Sequence, residues 1–375
     1  MIEHAPNLAA VSGPSALDVS VVVPTFNEAL NIAALAEEIC RALESASLRG
    51  EVIVVDDDSP DGTGRIAEEL GRRLPVRCMV RRGRRGLSSA VLEGFAASRA
   101  RVCVVMDADG SHPVETLADL VRPVLEGTAD ITVGSRYVAG GGSEKWPLLR
   151  RVISRGAGLL ALGVARLSDP TSGFMAVRRD LLEGLPLDPV GWKIVLEIVV
   201  KAHAARVREV PIVFRDRRAG ESKLSAKAQL QYLQHLWRLY AFRFAGLFRF
   251  ARFCLVGLVG MVLDMATVAA LKETLGLDTR LCAVAGFAIA VSSNYLLNRA
   301  WTFRDRSVRG IASYPAFVLV SLAGLSVRIG VMHLFIVTTA LDQGRGYLLV
   351  NFFGIVAGTL VNFAGSSLWV FPRRS

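Results

Sequence analysis

The apolar positions divide this chain in two. Up to about residue 245, short apolar runs alternate with charged and polar segments; from about Phe250 onward long apolar stretches dominate. In the first part, Val19–Pro24, Val52–Val55, Val76–Val80, Val102–Met106 and Ile131–Gly134 have the length and apolar character of strands buried on both faces. Between them Asn31–Leu43, Gly62–Leu74, Ser88–Ser98 and Val114–Leu125 carry helical spacing. Strands alternating with helices predict an α/β domain with a parallel sheet covered on both faces. Ligands of such sheets bind beyond the carboxyl ends of the strands. A further helix, basic at its start, is expected over residues 150–164, and residues 1–17 read as a flexible leader.

The second part reads as a membrane domain. Residues 224–249 mix Leu, Trp, Tyr and Phe with Lys and Arg, the pattern of amphipathic helix lying at a bilayer interface. Four apolar spans follow, Phe250–Leu271, Leu281–Leu297, Tyr314–Leu341 and Tyr347–Phe371. Each has the apolar length to cross about 30 Å of hydrocarbon, the second only just. Asp264 falls inside the first span and Arg328 inside the third. Both are costly in lipid unless paired or hydrated, and a mutual ion pair is one hypothesis.

Composition agrees: 52% of residues are apolar and mean hydropathy is +0.40, above what a soluble domain carries. The net charge of +10 fits anionic lipid or phosphorylated ligands. Zinc-finger spacing and an aromatic-basic RNA signature are both missing, so no nucleic-acid partner is expected. Arg299, Arg304, Arg306 and Arg309 lie between spans two and three, and Arg373 and Arg374 end the chain. Lys272, Arg280 and Arg345 are the sparser set on the other side. By the positive-inside rule the first domain and both termini are cytoplasmic. The opening residues lack the basic start and long apolar core of a signal peptide, in keeping with that. Cys40, Cys78, Cys103, Cys254 and Cys282 show no CxxC and read as small buried hydrophobes.

Candidate chemistry sits where the strands end. Asp107-Ala108-Asp109 follows the fourth strand. Two carboxylates there repel one another unless a cation neutralises them, and Mg²⁺ or Mn²⁺ takes such oxygen ligands while leaving places for diphosphate oxygens; the alternative is a solvated acidic turn. Asp56-Asp57-Asp58-Ser59-Pro60-Asp61-Gly62 follows the second strand and reads as a ligand-binding carboxylate, a helix-capping turn, or both. Pro24-Thr25-Phe26-Asn27-Glu28 offers an aromatic and a carboxylate after the first. His112, beside the triplet, reads as a structural hydrogen-bonding residue.

VVVPTFNE, VVDDDSPDGT, MDADGSHP, VGSRY, DPTSGFMAVRR and FRDRRAGESKL occur in this order over roughly residues 18–230. Together they resemble the dolichol-phosphate mannose synthase family of inverting glycosyltransferases. The resemblance implies a nucleotide-diphospho-sugar transferase (GT-A, Rossmann-like) fold for residues 18–223. It implies nucleotide and donor contacts at Pro24, Phe26, Glu28, Val55, Asp57, Asp107, Ala108, Asp109 and Arg136. It places metal ligation at Asp107, Asp109 and Ser111, the last where the family often has Gln or Ser. Arg217 and Lys223 match a loop that closes on the donor phosphates, and Arg150 and Ser154 match positions that hold the acceptor phosphate. NYLLNRAWTF and NFAGSSLWVF, at Asn294–Phe303 and Asn362–Phe371, look like paired signatures of GtrA-like membrane proteins. They suggest an internal repeat within residues 250–375.

The implied reaction moves mannose from GDP-mannose to a polyprenyl (dolichyl) phosphate with inversion. UDP-glucose on the same scaffold remains an alternative donor, and a non-catalytic carrier of lipid-linked sugar an alternative of another class. A phosphate monoester has its second pKa at about 6 and is already ionised at neutral pH, so no single general base is expected. Charge growing on the leaving diphosphate falls to the cation held by Asp107 and Asp109, with Arg217 and Lys223.

Overall fold

A computed structural model describes residues 17–83, 85–144, 146–188, 190–202, 205–215, 226–306, 313–339 and 347–372. The chain separates between Arg243 and Phe244 into two units.

In the first unit the apolar runs become strands because valine and isoleucine fill both faces of a covered sheet. β1 (Val19–Thr25), β2 (Gly50–Asp56), β3 (Val76–Val80), β4 (Val102–Val105) and β5 (Ile131–Ser135) are strands, as the pattern predicts. Every residue of β1, β4 and β5 is buried. The helices between them are α1 (Ile32–Ser45), α2 (Thr63–Leu70), α3 (Leu87–Ala97) and α4 (Leu117–Leu125). The chain continues through β6 (Gly142–Ser143), α5 (Leu148–Ala161), β7 (Met175–Arg178), α6 (Ile194–Lys201), β8 (Val207–Pro211), β9 (Val213–Phe214) and α7 (Ala226–Arg243).

Seven strands form one sheet in the order β3-β2-β1-β4-β7-β5-β8, and β6 pairs with β9. All neighbours are parallel except β7, which runs antiparallel between β4 and β5. The sheet is therefore mixed rather than wholly parallel. An apolar run such as Met175–Val177 carries no information on strand direction, so only the fold reveals the reversal. Two apolar layers cover the sheet, one holding Val22, Phe95, Val105 and Met175, the other Val21, Ile39, Val104, Leu120 and Phe174. α3 packs so closely that a Cβ on Gly94 would lie 2.4 Å from Val22 Cγ1. This is the GT-A fold.

The expected interfacial segment 224–249 divides. α7 belongs to the first unit, burying Leu236 and Leu239 in its core while Leu230, Leu233 and Trp237 stay exposed. The first compact unit runs through α7 to Arg243.

The second unit holds α8 (Ala245–Leu275), α9 (Thr279–Leu297), α10 (Tyr314–Thr338) and α11 (Tyr347–Gly365). These four are long and apolar enough to cross a membrane, in line with the four expected spans. They pack as two hairpins, α8 with α9 and α10 with α11. Each hairpin ends in a π-helical turn, Asn298–Thr302 and Ser366–Val370, at the paired signatures. Asn294 packs against Gly260 in one hairpin and Asn362 against Gly324 in the other. Phe303 and Phe371, which close the two turns, stack at 4.7 Å. These equivalences support the repeat. They also explain a correction. Asp264 and Arg328 occupy equivalent places, four residues after Gly260 and Gly324. Each packs within its own hairpin, Asp264 on Gly286 of α9 and Arg328 on Gly354 and Gly358 of α11. Arg328 donates to Asn351 Oδ1 at 2.9 Å, and the hypothesised Asp264–Arg328 pair is not formed.

Candidate active site

The loops after β1, β2 and β4 come together because those strands are neighbours in parallel register, with Thr25 beside Asp56. Asn27 and Asp58 adopt left-handed backbone conformations there, at φ 61° and 53°, which asparagine and aspartate tolerate better than most residues.

Three of the four acidic residues at and after the end of β2 have separate tasks. Asp56 accepts from Thr25 Oγ1 at 2.9 Å and from Ser59 N and Oγ at 2.9 and 2.6 Å, tying the first two loops together. Asp61 accepts from Thr63 N and Oγ1 at the start of α2 and from Ala29 N. Asp57 faces a cleft of about 230 Å³, accepts from Gly86 N at 2.7 Å and pairs with Arg81 at 2.9 Å. Burial lifts the Asp57 carboxyl above its usual range against the pull of Gly86 N–H and Arg81. Asp61 thus meets the capping reading, while Asp57 is the carboxylate of this segment that faces the cleft.

The same cleft is lined by Pro24, Phe26, Glu28, Arg85, Asp107, Ala108 and Asp109. The Arg85 guanidinium lies 4.6 Å from the Phe26 ring centroid, a stacking surface for a flat ligand that the sequence pattern did not flag. Val55 is placed differently: its side chain is wholly buried in the core. It packs under α3, against Gly94, and does not line the cleft.

Ser111 also departs from expectation. It is fully buried, and its N–H and Oγ–H both donate to Asp109 Oδ1, at 3.1 and 2.6 Å. Its hydroxyl holds Asp109 in place and does not line the cleft. Among the described residues no group of three His, Cys, Asp or Glu side chains is gathered as a metal site. Two hard oxygen donors at the mouth of a buried strand fit a divalent cation that completes its shell from a ligand's oxygens.

His112 takes the structural role expected of it. Its Nδ1 accepts from Asp107 N at 3.2 Å, and its ring stacks on Phe174 at 5.0 Å. Burial pushes its pKa down, against Asp107 and Asp109, so the ring is neutral and its Nδ1 lone pair is engaged.

A second cavity, of about 520 Å³, adjoins the first and shares Asp107, Leu87 and Trp192 with it. Arg136, Arg150 and Ser154 line it, three residues the sequence singled out, together with Trp146, Thr171 and Lys193, which it did not. Arg136 is locked to buried Asp169 by two 2.6 Å bonds and donates to Thr171 Oγ1 at 2.6 Å. Burial raises the Asp169 carboxyl, but the Arg136 bonds outweigh it and hold the group below its usual range. Arg150 lies 4.1 Å above Trp146. Ser154 Oγ accepts from Tyr137 Oη at 2.8 Å and lies 3.4 Å from Thr171 Oγ1. Lys193 donates to Thr171 O at 2.7 Å, and burial lowers its pKa to about 8. The signal for Lys193 in the sequence was a Trp-Lys pair opening an apolar helix. Arg217 and Lys223 lie outside the described residues.

Comparison with known proteins gives the family. Residues 20–185 match Glycosyl transferase family 2, and residues 252–371 match the GtrA/DPMS transmembrane domain. A dolichol-phosphate mannosyltransferase of Pyrococcus furiosus is 38% identical over 344 residues, 91% of this chain and 95% of that one. The chain belongs to the dolichol-phosphate mannosyltransferase family. Within that family, the Saccharomyces cerevisiae dolichol-phosphate mannosyltransferase is 39% identical over 61% of this chain and 89% of its own. A polyprenol monophosphomannose synthase of Mycolicibacterium smegmatis is 39% identical over 55% of this chain and 80% of its own. The chain is a glycosyltransferase with a membrane domain.

Proposed function

We propose that this glycosyltransferase moves mannose from GDP-mannose to a polyprenyl monophosphate, with inversion, releasing GDP. The observation that carries the reading is the meeting of two cavities at Asp107. One has the aromatic and carboxylate lining suited to a nucleotide and its diphosphate. The other has the cationic and hydroxyl lining suited to a phosphate. The relatives' names, which specify dolichol phosphate or polyprenol phosphate and mannose, support the same pair of substrates.

In this reading Phe26 and Arg85 stack the base, Asp57 and Glu28 orient the nucleoside, and Asp107 and Asp109 hold Mg²⁺ or Mn²⁺. That ion, when bound, neutralises charge on the leaving diphosphate. The resemblance puts Arg136, Arg217 and Lys223 on the donor side, although Arg136 lines the second cavity. Arg150 and Ser154 hold the acceptor phosphate for attack from the face opposite the leaving group. A phosphate oxygen forms the new bond to the anomeric carbon, the bond to the diphosphate breaks, and GDP departs with the electron pair. The nucleophile is already anionic, so no proton has to be removed. The engaged Nδ1 of His112 agrees with a reaction that needs no base there. Ile153, Gly156, Ala157 and Leu160 of α5 and Tyr232 and Leu233 of α7 give the second cavity an apolar wall for the first isoprene units of the acceptor. The four spans serve a lipid substrate, with both termini cytoplasmic.

Chelation of divalent ions, or Asp109→Asn, is expected to lower transfer at least 100-fold while the protein stays folded by circular dichroism. Full activity in excess chelator would remove the metal from the mechanism.

A further inference from the structure

Among the described residues no carboxylate forms an ion pair with the Lys193 ammonium in the second cavity, although Asp107 and Asp169 attract it from farther off. Among the described lining residues the charged side chains are Asp107, Arg136, Arg150 and Lys193. Asp169 neutralises Arg136 through its two bonds. Asp107 is committed, with Asp109, to the divalent ion in the reading above. Arg150 is spread over the face of Trp146. Lys193 is different: the hydrogen bond its ammonium makes among the described residues goes to a neutral carbonyl, Thr171 O, at 2.7 Å. An ammonium has three N–H groups. Lys193 lines the cavity. An incompletely solvated cation facing a cavity is stabilised by an anion that brings its own acceptors.

Position names the anion. The Thr171 hydroxyl lies 3.4 Å from Ser154 Oγ and bonds Arg136. Its carbonyl holds Lys193. One residue therefore ties Lys193 to the serine on the acceptor side. We propose that the Lys193 ammonium binds the reacting phosphate of the acceptor, opposite Arg150 and Ser154. This rests on the acceptor reading given above. Lys193 would then add a third donor to the phosphate cradle and draw the nucleophile toward the end of the cavity that Asp107 shares with the nucleotide cleft.

A charge-assisted hydrogen bond contributes roughly 1.5–3 kcal/mol, or about 10- to 100-fold in affinity. The test uses full-length protein in detergent with Mg²⁺ and GDP, titrated calorimetrically with a C10 isoprenyl monophosphate and with the corresponding alcohol. Lys193→Gln keeps a donor for Thr171 O but removes the charge; Lys193→Arg keeps the charge. Expected are at least tenfold weaker monophosphate binding in Lys193→Gln, restoration in Lys193→Arg, and GDP and alcohol affinities within threefold of wild type. Unchanged monophosphate affinity in Lys193→Gln overturns the proposal. So does a joint loss of GDP and monophosphate in both variants, which would assign Lys193 to the frame alone. If wild-type protein binds the alcohol and the monophosphate equally, the acceptor reading itself fails, whatever Lys193 does.

Discussion

Asp169 shows what one side chain contributes to the site. It is fully buried and holds Arg136, which in turn lies against Trp146, Phe214 and Tyr137. Removing one member of a buried pair leaves the other uncompensated, at a cost of about 3–5 kcal/mol. Asp169→Ala is therefore expected to lower the melting temperature by several degrees. The pH dependence has a definite sign. The folded carboxyl titrates below its unfolded value, so the fold binds fewer protons. This stabilisation is complete above about pH 4 and declines as pH falls through the folded value. The gap in melting temperature between wild type and Asp169→Ala should narrow on acidification below pH 4; a gap that widens would contradict the assignment. The motif residues after β1, β2 and β4 were legible because strand ends in a parallel sheet converge. Asp169 and Thr171 stood in the quoted DPTSGFMAVRR motif without a role, and Lys193 was not singled out, since a chain pattern does not tell which distant loops fold back over the sheet. Ser111 and Val55 sat inside readable motifs yet turn inward, because side-chain direction at a strand end depends on register.

At the scale of elements, β1 to β5 and α1 to α4 were readable from spacing, whereas β7, β8 and α6 were not. The reversed direction of β7 leaves no trace in composition. α7 reads as interfacial from its mixed apolar and basic residues; Leu236 and Leu239 are core, while Leu230, Leu233 and Trp237 stay exposed. An amphipathic helix looks alike whether its apolar face meets protein or lipid. Two packing predictions follow from close approaches. Alanine is the better helix former by up to about 1 kcal/mol, but overpacking costs about 1–3 kcal/mol. With Val22 Cγ1 only 2.4 Å from the added Cβ, Gly94→Ala should destabilise the first unit, measured by chemical denaturation; a stabilised variant would refute the α3–β1 contact. In the second unit, Asp264 and Arg328 lie in separate hairpins, so their replacements by Leu should add within about 0.5 kcal/mol in detergent unfolding. A double variant markedly more stable than the sum would restore the direct pair.

The whole molecule joins a GT-A glycosyltransferase unit to a duplicated pair of membrane hairpins. Its two-part nature was the plainest feature of the sequence, because apolar runs long enough for a bilayer differ in kind from those of strands. The arginines between spans two and three support a cytoplasmic placement of both termini; Arg309, Arg345, Arg373 and Arg374 lie outside the described residues. The join suits a reaction in which one substrate is water-soluble and the other is fixed in lipid. The central claim is that the two cavities meeting at Asp107 bring a nucleotide sugar to a lipid phosphate. The most direct measurement is transfer by the purified full-length protein with Mg²⁺, polyprenyl phosphate and labelled GDP-mannose, with labelled UDP-glucose run in parallel. The account predicts a β-linked polyprenyl-phosphate mannose formed in equal amount with GDP, and little product from UDP-glucose. Product from UDP-glucose alone, or mannose released to water without lipid product, would contradict it.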